Sequence, residues 1–183
     1  MKIDVEYLKF LWPLKTYLIT CGDIASKANV IAVSFCMPAA GQPPQLVCAI
    51  GKTFYSHTLI SQMGEFVVNV PPKSLKKEVY YCGSHSGRDV NKFVETDLTP
   101  LPARRVKAPI ISECVAHMEC VVVGSLDTKS YDGADLRPNI ANKTLFLGEV
   151  LEAYADEDYA SGKVQDFFMI EGTFPHHAYG LRR

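Results

Sequence analysis

Short runs of β-branched and aromatic residues recur along this chain, and turn-forming residues close most of them. Residues 16–20 (Thr-Tyr-Leu-Ile-Thr) stop at Gly22, and further runs follow at 29–37, 46–50 and 65–70. Others span 113–124 and 144–154, with a last one at 167–173. Pro43-Pro44 precedes the third run and Pro71-Pro72 closes the fourth, where a proline ring can donate nothing to a strand ladder. Helical spacing is rare and brief. Leu59, Ile60 and Met63 mark a helix over 57–63, and Ser74 is placed to cap one over 74–82. Residues 89–95 offer a turn or two, and the polar stretch 156–163 is either a small helix or an insertion. Many short strands with few helices predict a mainly β fold, a closed or partly closed antiparallel barrel. With no repeat or linker-like shift, residues 1–183 read as one domain. The polar stretch 129–143 reads as an exposed loop beside a site.

Composition removes whole classes of function. The chain is 48% hydrophobic, which excludes disorder, and its net charge of −1 gives no general attraction to nucleic acid. The clusters Lys73/Lys76/Lys77 and Arg104/Arg105/Lys107 are short enough to be solvated surface. No apolar run approaches the ~18 residues of a membrane span, and Lys2, Asp4, Glu6 and Lys9 interrupt any leader-like core. The six cysteines include no CxxC pair and lie mostly among apolar residues. We read them as reduced thiols in a cytoplasmic protein.

The common catalytic motifs are missing. The chain has no GxGxxG or Walker-type loop, no GxSxG elbow and no HExxH. His117-x-Glu119 lacks the PCxxC that a zinc deaminase would add, and reads as a solvated or interface strand face. His176-His177 reads as a tail pair without other ligands. Two segments are more suggestive. Alternation over 29–37 puts Ile31, Val33, Phe35 and Met37 on a bulky face, and Val30, Ala32, Ser34 and Cys36 on a small one. The small face either leaves backbone open to a flat ligand or lies under a packed helix. Residues 51–58 leave a strand and enter a helix with Lys52, Ser56, His57 and Thr58 as donors. That is either an anion site or ordinary capping by Ser56.

The ordered set of these pieces resembles the flavin reductase-like, FMN-binding split-barrel family, most closely its flavoredoxin and ferric-reductase branch. The matching residues are Pro13, Thr16 and Leu18-Ile19-Thr20; Asn29-x-x-Ala32-x-Ser34; Pro43-Pro44-x-Leu46-Val47; and Lys52-x-x-x-Ser56-His57-Thr58. Gly64-Glu65-Phe66-Val67-Val68-Asn69, Cys82-Gly83, Lys92-Phe93 and Leu147-Gly148-Glu149-Val150 complete it. The resemblance implies a Greek-key split β-barrel with a few short peripheral helices, forming a homodimer with FMN near the interface.

It also implies roles for matching positions. Asn29, Ala32, Val33 and Ser34 flank the isoalloxazine, with Phe35 standing where many members carry Trp. Ala49, Ile50 and Gly51 touch ribityl and ring through backbone, and Lys52, Ser56, His57 and Thr58 hold the phosphate. Cys82 and Gly83 close around the ribityl-phosphate end, and Lys92 approaches the pyrimidine side. Residues 131–143 replace a shorter Gly-Asp-His turn of the family, and 167–179 match only loosely. The activity implied is a flavoprotein oxidoreductase taking electrons from NAD(P)H or a protein donor to flavin, ferric chelate or a redox partner. A non-enzymatic FMN electron carrier is the alternative. A haem barrel is disfavoured, because His57 is the only histidine near the expected pocket. A single-stranded nucleic-acid barrel lacks interleaved basic and aromatic residues.

Overall fold

The computed structural model describes residues 10–11, 13–129, 142–163 and 166–170. The expected loop over 129–143, apart from its ends, lies outside these residues, as do His176-His177 and the chain beyond 170. The strands are β1 (Leu14–Lys15), β2 (Tyr17–Asp23), β3 (Lys27–Val33), β4 (Cys36–Gly41), β5 (Pro44–Gly51), β6 (Glu65–Val70), β7 (Pro100–Leu101), β8 (Ile110–Ile111), β9 (Ala116–Asp127), β10 (Lys143–Ala155) and β11 (Met169–Ile170). The helices are α1 (Tyr55–Met63), α2 (Lys76–Ser84), α3 (Lys92–Glu95) and α4 (Glu157–Ala160). None of these is long and apolar enough to cross a membrane. Ser74 falls in a 3₁₀ turn before α2, whose N-cap is Leu75 with no side-chain bond, so the expected serine cap is not made.

Seven strands form one antiparallel sheet in the order β3-β2-β6-β9-β10-β5-β4. Its two edge strands, β3 and β4, are consecutive in sequence and separated only by residues 34–35. Three peptide steps from Val33 to Cys36 span at most about 11 Å. The sheet therefore curls until its edges nearly meet, without pairing. The result is a Greek-key split barrel.

Its interior holds Ile19, Ile31, Leu46, Ile50, Phe66, Val68 and Phe146, with Leu59 and Ile60 of α1 packed into the same core. Phe66 lies across Gly148, where a Cβ would stand 2.6 Å from the ring, so that position of the Leu-Gly-Glu run accepts no side chain. The single strand expected over 29–37 is two strands, because the chain changes sheet edge at residues 34–35. The crossing breaks the alternation. Ile31 and Val33 face inward as expected, but Met37 is 63% exposed and Cys36 packs against the interior. The small outer face of β3 lies under helices: Ala28, Val30 and Ala32 pack with Val79, Cys82 and Phe93.

The face carrying His117 and Glu119 is buried rather than solvated, because residues 103–111 fold across it. Asn69 Nδ2 donates to Leu18 O at 2.9 Å, and Asn69 Oδ1 accepts Ile111 N–H at 3.0 Å. That oxygen cannot donate, so His117 Nδ1, at 2.9 Å, is the protonated nitrogen. Thr20 Oγ1 donates to Pro109 O. Glu119, fully buried, accepts from Arg104 N–H (2.9 Å), Arg105 N–H (2.6 Å) and the Tyr154 hydroxyl (2.7 Å).

Burial alone would raise the Glu119 carboxyl, but those bonds hold it below its ordinary 4.5. A group with a depressed folded pKa stabilises the fold above its unfolded value and loses that contribution as pH falls through the folded one. Glu119→Gln turns an acceptor into a donor facing a buried donor. It should cost about 2–4 kcal/mol at pH 7, a Tm fall of roughly 4–16 °C. In thermal melts the gap between wild type and variant should close progressively below pH 4.5; a gap independent of pH would show that the carboxylate is not what the site stabilises.

Candidate functional site

The chain leaves β5 at Gly51, and Phe54 N–H returns a bond to Gly51 O at 3.0 Å before α1 begins. The Phe54 ring lies so close that a Cβ on residue 51 would stand 3.1 Å from it. Phe54 is the N-cap residue and makes no side-chain cap bond. Ser56 does not cap the helix. It lies inside the first turn, 1% exposed, and its Oγ accepts from Asn29 Nδ2 at 2.8 Å. The first-turn N–H groups of α1 therefore have no side-chain acceptor, and the positive end of the helix dipole is open.

Arg88 stands over that end. Nη1 donates to Thr53 O at 2.8 Å and Nη2 to Thr58 Oγ1 at 3.3 Å. Its guanidinium is 5.3 Å from the Tyr55 ring centroid, and Lys27 Nζ is 4.9 Å from the same ring. A tight turn at Ser86 presents Arg88: Asp89 and Val90 N–H donate to Ser86 O, and Arg88 N–H donates to Ser86 Oγ. The turn is seated by Gly87, where a Cβ would fall 2.1 Å from Asn29 Oδ1. Beside it opens a cavity of about 570 Å³ lined by Lys27, Asn29, Arg88, Asn91 and Lys92 among others. That volume is in the range of small-molecule sites. Sequence reading passed over Arg88; its only signal is a Gly-Arg pair in a polar turn between two short helices.

Lys92 opens α3 but does not reach into solvent. Its ammonium donates to Val30 O at 2.9 Å and Cys82 O at 2.7 Å, tying β3 to the end of α2. Burial lowers its pKa, while the neighbouring Cys82 and Cys21 act in the opposite direction.

The four residues expected to hold a phosphate fall into separate groups. Thr58 meets Arg88, and Ser56 meets Asn29. Lys52 pairs with Asp127 at 2.5 Å, and His57 Nε2 donates to Thr144 Oγ1 at 2.8 Å, which donates to Asp127 Oδ1 at 2.7 Å. Burial, and then the Lys52 charge, lower the His57 pKa, so the imidazole is neutral at pH 7. Asp127 and Thr144 were not read as site residues; the strand register brings them to the β5 end.

Of the remaining residues, Val33 and Ile50 point into the core. Ser34 Oγ lies 2.8 Å from Thr16 Oγ1, and Phe35 O accepts Ala49 N–H at 2.9 Å. Ala32 lies beneath exposed Gly83. The Cys82 thiol is in the core, and its carbonyl accepts from the Lys92 ammonium. Among the described residues no group could hold a metal ion.

Comparison with known proteins bears on the family and the fold. A family profile described as "Flavin reductase like domain" matches residues 11–169. An uncharacterized protein of Archaeoglobus fulgidus is 38% identical over 93% of this chain and 89% of its own. Flavoredoxin from Methanosarcina acetivorans superposes with a TM-score of 0.72 at 28% identity, covering 87% of this chain and 77% of its own. An FMN-binding protein from Thermus thermophilus shares the fold, with a TM-score of 0.74 at 17% identity over 94% and 89% of the two chains.

The geometry separates two basic residues on the cavity wall. Lys92→Met strands two buried carbonyls and should lower stability by roughly 2–4 kcal/mol, about 4–16 °C in Tm. Arg88→Ala, at an exposed position, should stay within about 0.5 kcal/mol of wild type. Calorimetry of the two variants checks this, and equal losses would contradict the assignment of Lys92 as the fastener.

Proposed function

The chain belongs to the flavin reductase-like domain family, and from that premise we propose that it binds FMN and works as a flavoprotein oxidoreductase fed by NAD(P)H or by a protein donor. The observation that carries the reading is the α1 N-terminus: an uncapped helix start, with Arg88 bridging Thr53 O and Thr58 Oγ1 above it. A guanidinium has five N–H donors, so two protein bonds leave capacity for a terminal phosphate. A bound flavin would supply the electron-transfer chemistry. The protein's part is to bind and orient. Arg88, Thr58 and the first-turn N–H groups grip the phosphate. Backbone at Ala32, Val33, Ala49, Ile50 and Gly51, with Asn29, Ser34 and Phe35, borders ribityl and ring. Asn29 and buried Ser56 lock the helix start to β3, and Lys92 acts through β3 by holding Val30 O. Cys82 and Gly83 contribute backbone, and neutral His57 with Lys52 borders the β5 end.

We also propose a homodimer. Register places Met37, Val47 and Leu147 in one outward row and Ala49, Leu145 and Leu126 in the next. Met37 and Leu126 are 63% and 64% exposed. An apolar sheet face on this scale calls for a partner, and a second copy of the same face is self-complementary. Six free cysteines suit a reducing, cytoplasmic setting.

The supernatant of denatured protein should contain FMN and not FAD. Arg88→Ala should weaken FMN binding about 10- to 150-fold and barely change riboflavin, which lacks the phosphate. Equal losses for both flavins would put the phosphate elsewhere. Steady-state NAD(P)H oxidation with added flavin separates the enzyme from a carrier, which would give almost none. Light scattering should give twice the 20.3 kDa chain mass, and Met37→Glu with Leu126→Glu should return it to one chain.

A further inference from the structure

Cys36 on β4 stands directly opposite Cys48 on β5 in the antiparallel ladder. The neighbouring pair, Phe35 and Ala49, is hydrogen-bonded through Ala49 N–H and Phe35 O. Alternation therefore makes Cys36/Cys48 a non-hydrogen-bonded pair, for which Cα atoms lie about 4.5 Å apart. That falls within the ~4.4–6.8 Å that a disulfide bridges. The side chains share the inward face, with the sulfurs 3.0 Å apart and the Cys48 thiol donating to Cys36. The two differ in access: Cys48 is fully buried, and Cys36, on the edge strand, is half-buried.

We propose that Cys36 and Cys48 form a reversible dithiol–disulfide pair, a modification site that fastens edge strand β4 to β5 and equilibrates with low-molecular-weight disulfides. The Cys36 thiolate attacks one sulfur of the small disulfide, forming a mixed disulfide and releasing one thiolate. Cys48 then attacks the Cys36 sulfur; the Cys36–Cys48 bond forms, the mixed disulfide breaks, and the second small thiol leaves. The two protein thiols lose two electrons and two protons, and the small disulfide gains both to become two thiols. A small dithiol reverses the sequence. The pair owes nothing to bound flavin, because strand register alone creates it.

Full-length protein should be incubated with oxidised glutathione, trapped with an alkylating agent and analysed by intact and peptide mass. The expected product has two fewer alkylatable thiols than the six of the reduced chain, no retained glutathione, and a linked pair of peptides carrying Cys36 and Cys48. Dithiothreitol should restore all six. Cys48→Ala should stop at Cys36–glutathione, whereas Cys120→Ser, altering a neighbour in the same core, should leave the link unchanged. If Cys48→Ala fails to fold, the peptide link in the wild-type chain decides alone. Six alkylatable thiols after oxidation, or a link through any other cysteine, would overturn the proposal.

Discussion

Two residues, Ser34 and Phe35, carry the chain from one edge of the seven-stranded sheet to the other, and much of the architecture answers to that short link. A flat sheet of this order would hold its edges several strand spacings apart, at about 4.8 Å each, beyond the reach of so few peptides. Curling is the solution, and it gives every strand an inside and an outside. The crossing is pinned at both residues: Ser34 meets the Thr16 hydroxyl, and Phe35 O extends the ladder of β5. Because the chain turns there, side-chain alternation restarts on the far side. Cys36 consequently enters the core and Met37 joins an exposed apolar face.

Around this barrel, buried polar groups serve as fasteners between segments far apart in sequence. Lys92 spans β3 and α2, Asn69 spans β2, β8 and β9, and Glu119 clips residues 104–105 against β9. Each is hydrogen-bonded to backbone or neighbouring side chains, as burial requires. Arg88 differs. It is exposed, it is charged, and it is held over a helix end with no side-chain cap. The buried polar residues build the scaffold, and this cation with Thr58 is what the proposed flavin site offers a phosphate. A site that holds and orients a flavin needs little more from the protein, since the cofactor does the chemistry.

The second polar group, Lys52–Asp127–Thr144–His57, sits at the β5 end. Its carboxylate balances the lysine next to it. The net positive end of the site therefore lies on the Arg88 and Lys27 side, where two cations flank Tyr55.

Periodicity in the sequence was enough to place β2, β5, β6, β9 and β10 within a few residues and to expect a mainly β barrel. It was enough because a strand half-buried in a curled sheet must repeat every two residues, a local property. The ordered motifs located the stretch around α1 and pointed to flavin. Local pattern could not show that residues 34–35 join opposite edges, since that depends on which strands pair. Nor could it show that residues 103–111 bury Glu119, that Ser56 answers Asn29 rather than the helix, or that Lys92 is consumed by two carbonyls. Arg88 was invisible for the same reason: 30 residues separate it from Thr58. Strand and helix identity were written in neighbouring residues. The partners of each polar side chain were decided only when the curl of the sheet brought distant segments within hydrogen-bonding reach.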